Sequence, residues 1–128
     1  MGNSNLLITG SIAIDTIETP SEKRENVLGG SVTYALAAAQ RYCPTSVVGI
    51  IGSDFPDEDR ELYQSLAVNL DDLQEVEGAT FQWGGRYHEN WNDRETLYTE
   101  LGVFADFSRN HFFSFDFMAC HWLAYQIP

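Results

Sequence analysis

One segment, residues 27–56, constrains the fold of this chain more than any other part. It opens with the pair Gly29-Gly30, continues through an alanine-rich run to residue 42, and ends in the apolar run 47–51 and a glycine–acid turn. The apolar spacing of the first run predicts a helix, and the second run is short enough to be a strand covered on both faces. A helix that follows a glycine pair points N–H groups at it, so this corner suits a hydroxyl-rich or anionic small molecule.

Upstream of this segment, residues 6–14 predict a first strand that is apolar, β-branched and ended by Asp15. In an open α/β sheet ligands bind beyond the carboxyl ends of the strands, so Asp15 is a candidate for ligand contact. The other interpretation is an acid that ends a strand at the surface. Residues 16–26 are polar and predict an exposed connection with room for a short edge strand.

Downstream, the acids Asp57, Glu58 and Asp59 indicate the first turn of a helix, where they complement the helix dipole. A metal site is the alternative interpretation of this cluster. Residues 69–72 are typical of a turn, and residues 73–77 predict a further short strand.

Residues 80–87 and 96–101 alternate in polarity and predict an antiparallel β-hairpin. Its Gly84 and Gly85 leave room for a bulge or for a close approach of the backbone. One face of the first strand is aromatic and is expected to be partly exposed: Phe81, Trp83 and Tyr87. Three polar side chains nearby are weaker candidates for ligand contact than Asp15: Arg86, His88 and Glu89.

This combination of elements resembles the first signature of the ribokinase-like PfkB family of carbohydrate and nucleoside kinases. Many members of that family carry Asn where this chain has Tyr34. The resemblance implies an α/β fold, namely a partial ribokinase-like, Rossmann-like layer with parallel strands, crossover helices and a small β-hairpin lid. It covers residues 5–107 and is carried, besides the alanine-rich helix, by Gly29, Gly30, Gly49, Gly52, Asp54 and Phe55.

The resemblance also implies roles for particular residues. Asp15 would hold sugar hydroxyls, with Gly29, Gly30 and Ser31 completing the substrate site. The hairpin, residues 79–101, would be a lid that closes over a sugar or nucleoside and mediates a homodimer.

A complete member transfers the γ-phosphoryl group of ATP, with Mg²⁺, to a sugar or nucleoside hydroxyl, using an Asp base in a Gly-Ala-Gly-Asp type turn. That turn does not occur in this sequence. No catalytic, cofactor-binding or metal residue is therefore assigned, and ATP and Mg²⁺ are expected only for a full-length parent enzyme. The chain by itself is predicted to be inactive.

Length supports the interpretation of a truncated member, since 128 residues fall far short of the roughly 300 of a complete one. Residues 1–108 are expected to form the N-terminal substrate-binding portion. Residues 109–128 are rich in aromatic side chains and form a tail outside the resemblance. Three residues of this tail are weak candidates for metal ligands: His111, Cys120 and His121.

The composition excludes several classes of partner. With 19 acids and 7 bases the formal net charge is −12, which disfavours nucleic acid and anionic membrane surfaces. Cys43 and Cys120 form no Cys-x-x-Cys motif, so reduced thiols are expected. Without a basic signal region or an apolar run of about 18 residues, the sequence predicts a cytoplasmic protein.

Three hypotheses about function follow. The first is the N-terminal part of an ATP-dependent sugar kinase that supplies only substrate-positioning residues. The second is a non-catalytic module that binds a polyol or associates through its hairpin, and the third is an open α/β domain with an unrelated role. The sequence does not select one sugar or nucleoside.

Overall fold

The structure, a computed structural model, describes residues 5–107. Its strands form two sheets, ordered β1-β4-β5 and β3-β2-β6-β7. The fold class is therefore α/β with parallel strands and crossover helices, as the sequence predicted. The elements are β1 (Leu6–Thr9), β2 (Ala13–Glu18), β3 (Lys23–Gly29), α1 (Ser31–Ala39), β4 (Thr45–Gly52), α2 (Asp57–Leu66), β5 (Asn69–Val76), β6 (Phe81–Tyr87), β7 (Arg94–Glu100) and a 3₁₀-helix (Gly102–Asp106).

The first sheet is parallel throughout, with β4 between β1 and β5. All eight residues of β4 are buried, because a central parallel strand is covered on both faces. Helix α1 lies between β1 and β4 in the sequence and contacts both strands. This confirms the predicted strand–helix–strand unit with a further helix after it.

The hydrophobic core lies between the first sheet and the two helices. Tyr63 of α2 is 1% exposed and packs edge-on against Phe55, with ring centroids 6.1 Å apart. Its hydroxyl also lies 2.6 Å from the Thr33 Oγ1 of α1, so the two helices are joined by a buried hydrogen bond. The core consists of Ile12, Val32, Leu36, Val47, Ile51, Phe55 and Tyr63.

The prediction of one strand over residues 6–14 was wrong. The chain forms β1, leaves the first sheet at Gly10, and enters the second sheet as β2. The Ser11 carbonyl accepts a hydrogen bond from the Val32 N–H of α1, which anchors the connection between the two strands. Asp15 therefore lies inside β2, opposite Val27 of β3 and Trp83 of β6, and does not end a strand.

The prediction of a turn at residues 69–72 was also wrong, because these residues begin β5 and pair with β4. Asn69 Oδ1 accepts a hydrogen bond from the Asp71 N–H at 2.7 Å. This is the local bond of an Asx turn, here accommodated at the start of a strand where the pairing register with β4 shifts. The helix with acids in its first turn is confirmed as α2.

The second sheet contains the predicted hairpin as β6 and β7, which pair antiparallel. The register shifts between Gly84 and Gly85, which confirms the expected irregularity. The edge strand expected within residues 16–26 is β3, which continues to Gly29. Because β6 also pairs with β2, the hairpin is half of a four-stranded sheet separate from the first one.

The expected exposure of the aromatic face is correct for two of its three residues. Trp83 and Tyr87 are partly exposed. Phe81 is only 8% exposed, because it stacks on Phe104 beyond the hairpin, with ring centroids 5.5 Å apart. The predicted tail, residues 109–128 with His111, Cys120 and His121, lies outside the described residues.

Candidate ligand-binding cleft

A cleft of about 280 Å³ opens where the second sheet meets the start of α1. Three of the four predicted site residues line it, namely Asp15, Gly30 and Ser31. Gly29 lies directly behind Asp15, since a Cβ at position 29 would overlap the Asp15 carboxylate. The structure thus gathers all four predicted residues at one place. The lining residues are Ser11, Ala13, Asp15, Ile17, Gly30, Ser31, Tyr34, Phe81, Trp83, Tyr87 and Arg94.

Within residues 5–107, Asp15 is the only carboxylate that lines the cleft. Its Oδ1 atom is buried and has no hydrogen-bond partner within residues 5–107. Burial raises the pKa of this carboxyl from its ordinary 3.8 to about 6. At neutral pH it is largely ionised and accepts hydrogen bonds only, so a ligand that donates O–H groups would satisfy it.

The two glycines are required for different reasons. Gly30 has φ +91, and a Cβ there would overlap the Ser11 carbonyl oxygen as well as approach the Ala13 nitrogen to 2.9 Å. Gly29 has room for no side chain because the Asp15 carboxylate occupies that space. The start of α1 can therefore approach the β2 backbone closely only with glycine at position 30, while glycine at position 29 leaves the Asp15 carboxylate in its place.

Ser31 is engaged within the protein. Its Oγ accepts a hydrogen bond from the Ser11 N–H at 3.2 Å, and the Ser31 N–H donates to Ser11 Oγ at 3.2 Å. The two hydroxyl oxygens lie 3.3 Å apart. This reciprocal pair joins the β1–β2 connection to the first residue of α1 and places two hydroxyls on the cleft wall.

The start of α1 is less open to an anion than the sequence indicated. Of its first N–H groups, that of Ser31 donates to Ser11 Oγ and that of Val32 donates to the Ser11 carbonyl. Ser11 therefore satisfies two of the amides that would otherwise point at a ligand. Ser11 was not a candidate from the sequence, where the available signal was its position directly after a glycine. In the structure this glycine, Gly10, has φ +154.

Part of the cleft wall is aromatic. Trp83 and Tyr87 come from β6, and Tyr34 comes from α1, where it is 64% exposed. Arg94 of β7 places its guanidinium carbon 5.2 Å from the centroid of the Trp83 ring. Sequence analysis selected the aromatic face of β6 but not Arg94, which carries no recognisable motif.

The other candidates from the sequence lie elsewhere. Arg86 does not line the cleft and forms ion pairs with Glu18 at 2.9 Å and Glu95 at 3.8 Å. His88 and Glu89 are exposed and also absent from its lining.

The acids that open α2 are not gathered around a common point. Among residues 5–107, no group of three His, Cys, Asp or Glu side chains is placed to hold a metal ion. In the same part of the chain, no helix is long and apolar enough to cross a membrane.

The fold defines a class: an α/β protein built like part of the solved ribokinase-family kinases. The structure is similar to a nucleoside kinase from Burkholderia thailandensis in complex with inosine, with a TM-score of 0.67 and 19% identity over 80% of this chain. It is also similar to a ribokinase from Cryptococcus neoformans var. grubii serotype A in complex with ADP, with a TM-score of 0.65 and 22% identity over 80% of this chain.

A third similar structure is the nucleoside kinase of Methanocaldococcus jannaschii, an archaeal member of the ribokinase family, with a TM-score of 0.61 and 15% identity over 84% of this chain. The chain spans 37%, 35% and 41% of the lengths of these three kinases, respectively. At these identities the comparison shows the fold. No protein-family model and no curated protein matches the sequence.

Proposed function

We propose that residues 5–107 are the substrate-binding part of a kinase that phosphorylates a hydroxyl of a sugar or nucleoside. The single observation that carries this proposal is the Asp15 carboxylate at a cleft lined by small and aromatic residues, with its buried Oδ1 unpartnered within residues 5–107. A half-buried carboxylate that accepts no side-chain hydrogen bond within residues 5–107 is costly, and a vicinal diol in the cleft supplies O–H donors to the carboxylate.

The neighbours support the proposal in two respects. They are nucleoside and sugar kinases, and one of them was solved with inosine, whose ribose carries such hydroxyls. In the proposed complex Asp15 accepts hydrogen bonds from the ligand hydroxyls, while glycine at position 29 leaves room for its carboxylate and glycine at position 30 lets the start of α1 lie close to β2. The aromatic wall covers the remaining apolar surface of the ligand.

The phosphoryl-transfer step belongs to the whole protein. ATP with Mg²⁺ supplies the γ-phosphoryl group and neutralises its charge when bound. Residues 5–107 place no three metal-ligating side chains together, so we assign neither group to them. The described residues orient the acceptor hydroxyl and exclude water from it.

Ligand binding to the 128-residue chain tests this proposal. Saturation-transfer NMR against ribose, fructose, inosine and adenosine is expected to detect at least one ligand, and Asp15→Ala should weaken its binding by about tenfold or more. Glu61→Gln, an exposed carboxylate on α2, is the matched control and should bind like the wild type. Binding that Asp15→Ala leaves unchanged contradicts the proposed site.

A second function, association through the hairpin, is favoured by the exposure of β7. All seven of its residues are exposed, although Leu97 and Tyr98 are apolar, and within residues 5–107 the strand pairs only with β6. A free strand edge with apolar side chains can pair with a second copy. Light scattering should show a dimer that Leu97→Lys converts to a monomer, and a wild-type monomer at high concentration argues against it.

A further inference from the structure

Arg94 and Arg41 differ from the other cations of residues 5–107 because neither forms an ion pair there, and of these two only Arg94 lines the cleft. With 19 acids and 7 bases, carboxylates are abundant, yet within residues 5–107 no carboxylate lies within ion-pair distance of Arg94. Its only close partner there is the ring of Trp83, and it lines the same cleft as Asp15. The paired cations are Lys23 with Glu25, Arg24 with Glu22, Arg60 with Glu75 and Arg86 with Glu18.

The position of Arg94 is fixed through Trp83. The indole ring lies against Gly85, where a Cβ would overlap the ring. Gly85 belongs to the bulge in β6, so the bulge determines where the indole lies. The guanidinium lies 5.2 Å from the ring centroid, within the range of a cation–π contact. A ring face that carries a guanidinium is not free to stack on a flat base. This arrangement favours a charged group of the ligand over a nucleobase at this position.

Arg94 and Asp15 share the cleft without neutralising each other. They form no ion pair, and burial alone accounts for the raised pKa of Asp15, with no lowering by a nearby cation. The cleft therefore contains a hydroxyl acceptor, Asp15, and a cation without an ion-pair partner within residues 5–107, Arg94. In a chain of formal charge −12, which repels anions over its surface, an unpaired local cation is what binding of an anionic group requires.

We infer that Arg94 binds an anionic substituent of the ligand, so that the substrate class is a phosphorylated or acidic sugar derivative. This inference rests on the proposed function, because Asp15 is taken to receive the hydroxyls of the same molecule. The planar guanidinium presents paired N–H donors that match phosphate and carboxylate oxygens. Arg94 is thus a residue that determines specificity, while Asp15 binds neutral and anionic ligands alike.

Matched pairs of neutral and anionic ligands test the inference on the 128-residue chain. The pairs are ribose with ribose 5-phosphate, fructose with fructose 6-phosphate, and inosine with inosine 5′-monophosphate, titrated by NMR at low salt. For the pair that binds, the wild type should prefer the anionic member by at least about fivefold. Arg94→Gln should remove this preference by lowering the affinity for the anionic member more than the affinity for the neutral member.

Two further variants make the result specific. Arg41→Gln removes the same charge from an exposed arginine that does not line the cleft, and it should keep the preference. Arg94→Lys keeps the charge but not the planar guanidinium, and it should retain part of the preference for the anionic ligand. Equal binding of both members by the wild type, or a preference that survives in Arg94→Gln, overturns the inference and leaves the proposed function standing. Failure of every pair to bind overturns both.

Discussion

The carboxylate of Asp15 occupies the space that a side chain at Gly29 would need. The two residues belong to adjacent antiparallel strands, β2 and β3, and the contact exists only because position 29 has no Cβ. The carboxyl group is thereby held beside the cleft, with one oxygen that is buried and has no hydrogen-bond partner in the described part of the chain. Single substitutions at Gly29 and Asp15 can therefore test whether this contact positions the carboxylate for binding.

Gly29→Ala should impair ligand binding more than stability. The atoms that the new methyl group would meet are the end of the Asp15 side chain, which can turn to another rotamer at a cost of about 1 kcal/mol. The melting temperature is therefore expected to fall by only a few degrees. Ligand affinity should fall about tenfold, because the carboxylate leaves its place. Equal affinity of Gly29→Ala and wild type would show that the Asp15 position is not needed for binding.

Stability should depend on pH through Asp15. Its pKa is raised from 3.8 to about 6 by burial, so between these values the folded state holds a proton that the unfolded state has released. The folded state consequently loses stability as the pH rises from about 4 through about 6. Asp15→Asn should melt at a higher temperature than the wild type at pH 7.5, and the difference should shrink toward pH 4.

The same titration should appear in ligand binding with the opposite sign. A carboxylate accepts hydroxyl protons and a carboxylic acid does so less well, so affinity should increase as the pH rises through about 6. Glu61→Gln serves as the control for the general effect of charge. For the stability prediction, a difference in melting temperature between Asp15→Asn and wild type that stays constant from pH 4 to pH 8 would contradict a pKa of Asp15 raised by burial.

Thr80→Val should destabilise the connection between the two sheets. Thr80 donates from its N–H and its hydroxyl to Asp54 Oδ1, at 2.8 Å and 2.7 Å, and its hydroxyl accepts from the Gly52 N–H at 2.9 Å. The substitution leaves the Gly52 N–H without that acceptor, at an expected cost of about 2 kcal/mol in the free energy of unfolding. Urea denaturation measures this loss. Thr80→Ser retains the hydroxyl and should lose clearly less.

The 128-residue chain should show no sugar-dependent hydrolysis or transfer from ATP. The sequence carries no Gly-Ala-Gly-Asp type turn to supply a base, and residues 5–107 place no three metal-ligating side chains together. A coupled assay for ADP release with the four sugars and nucleosides named above measures this. Sugar-dependent ADP release by the purified chain would mean that a base other than the expected Asp acts within it.

Local sequence determined much of the first sheet and its helices. The Gly29-Gly30 pair, the alanine-rich helix and the buried strand β4 were all predicted, because each depends on short-range physics. Glycine permits a positive φ at residue 30, small residues at helical spacing form a face that packs closely, and a continuous apolar run suits a central parallel strand. The hairpin was predicted for the same reason, since alternation of polarity is a local signal.

Strand pairing was decided only by the tertiary structure. Residues 6–14 look like one strand because their side chains are mostly apolar, yet they divide at Gly10 and Ser11 between two sheets. The division depends on the Ser11 carbonyl bonding to Val32, a partner 21 positions away that no local pattern reveals. The sequence therefore placed Asp15 wrongly, at the end of a strand and not within one, although the structure does bring this residue to the cleft.

The residues that line the cleft divide in the same way, into those that the local sequence indicated and those that only the fold brought there. Asp15, Gly30 and Ser31 were named from the sequence, while Ser11, Tyr34 and Arg94 were placed on its walls only by the fold. Arg94 lies 79 positions from Asp15 along the chain and enters the cleft because β7 pairs with β6 and β6 pairs with β2. Local propensities specify elements, but hydrogen bonding between strands distant in sequence decides which side chains meet, and that long-range pairing determines the chemistry of the cleft.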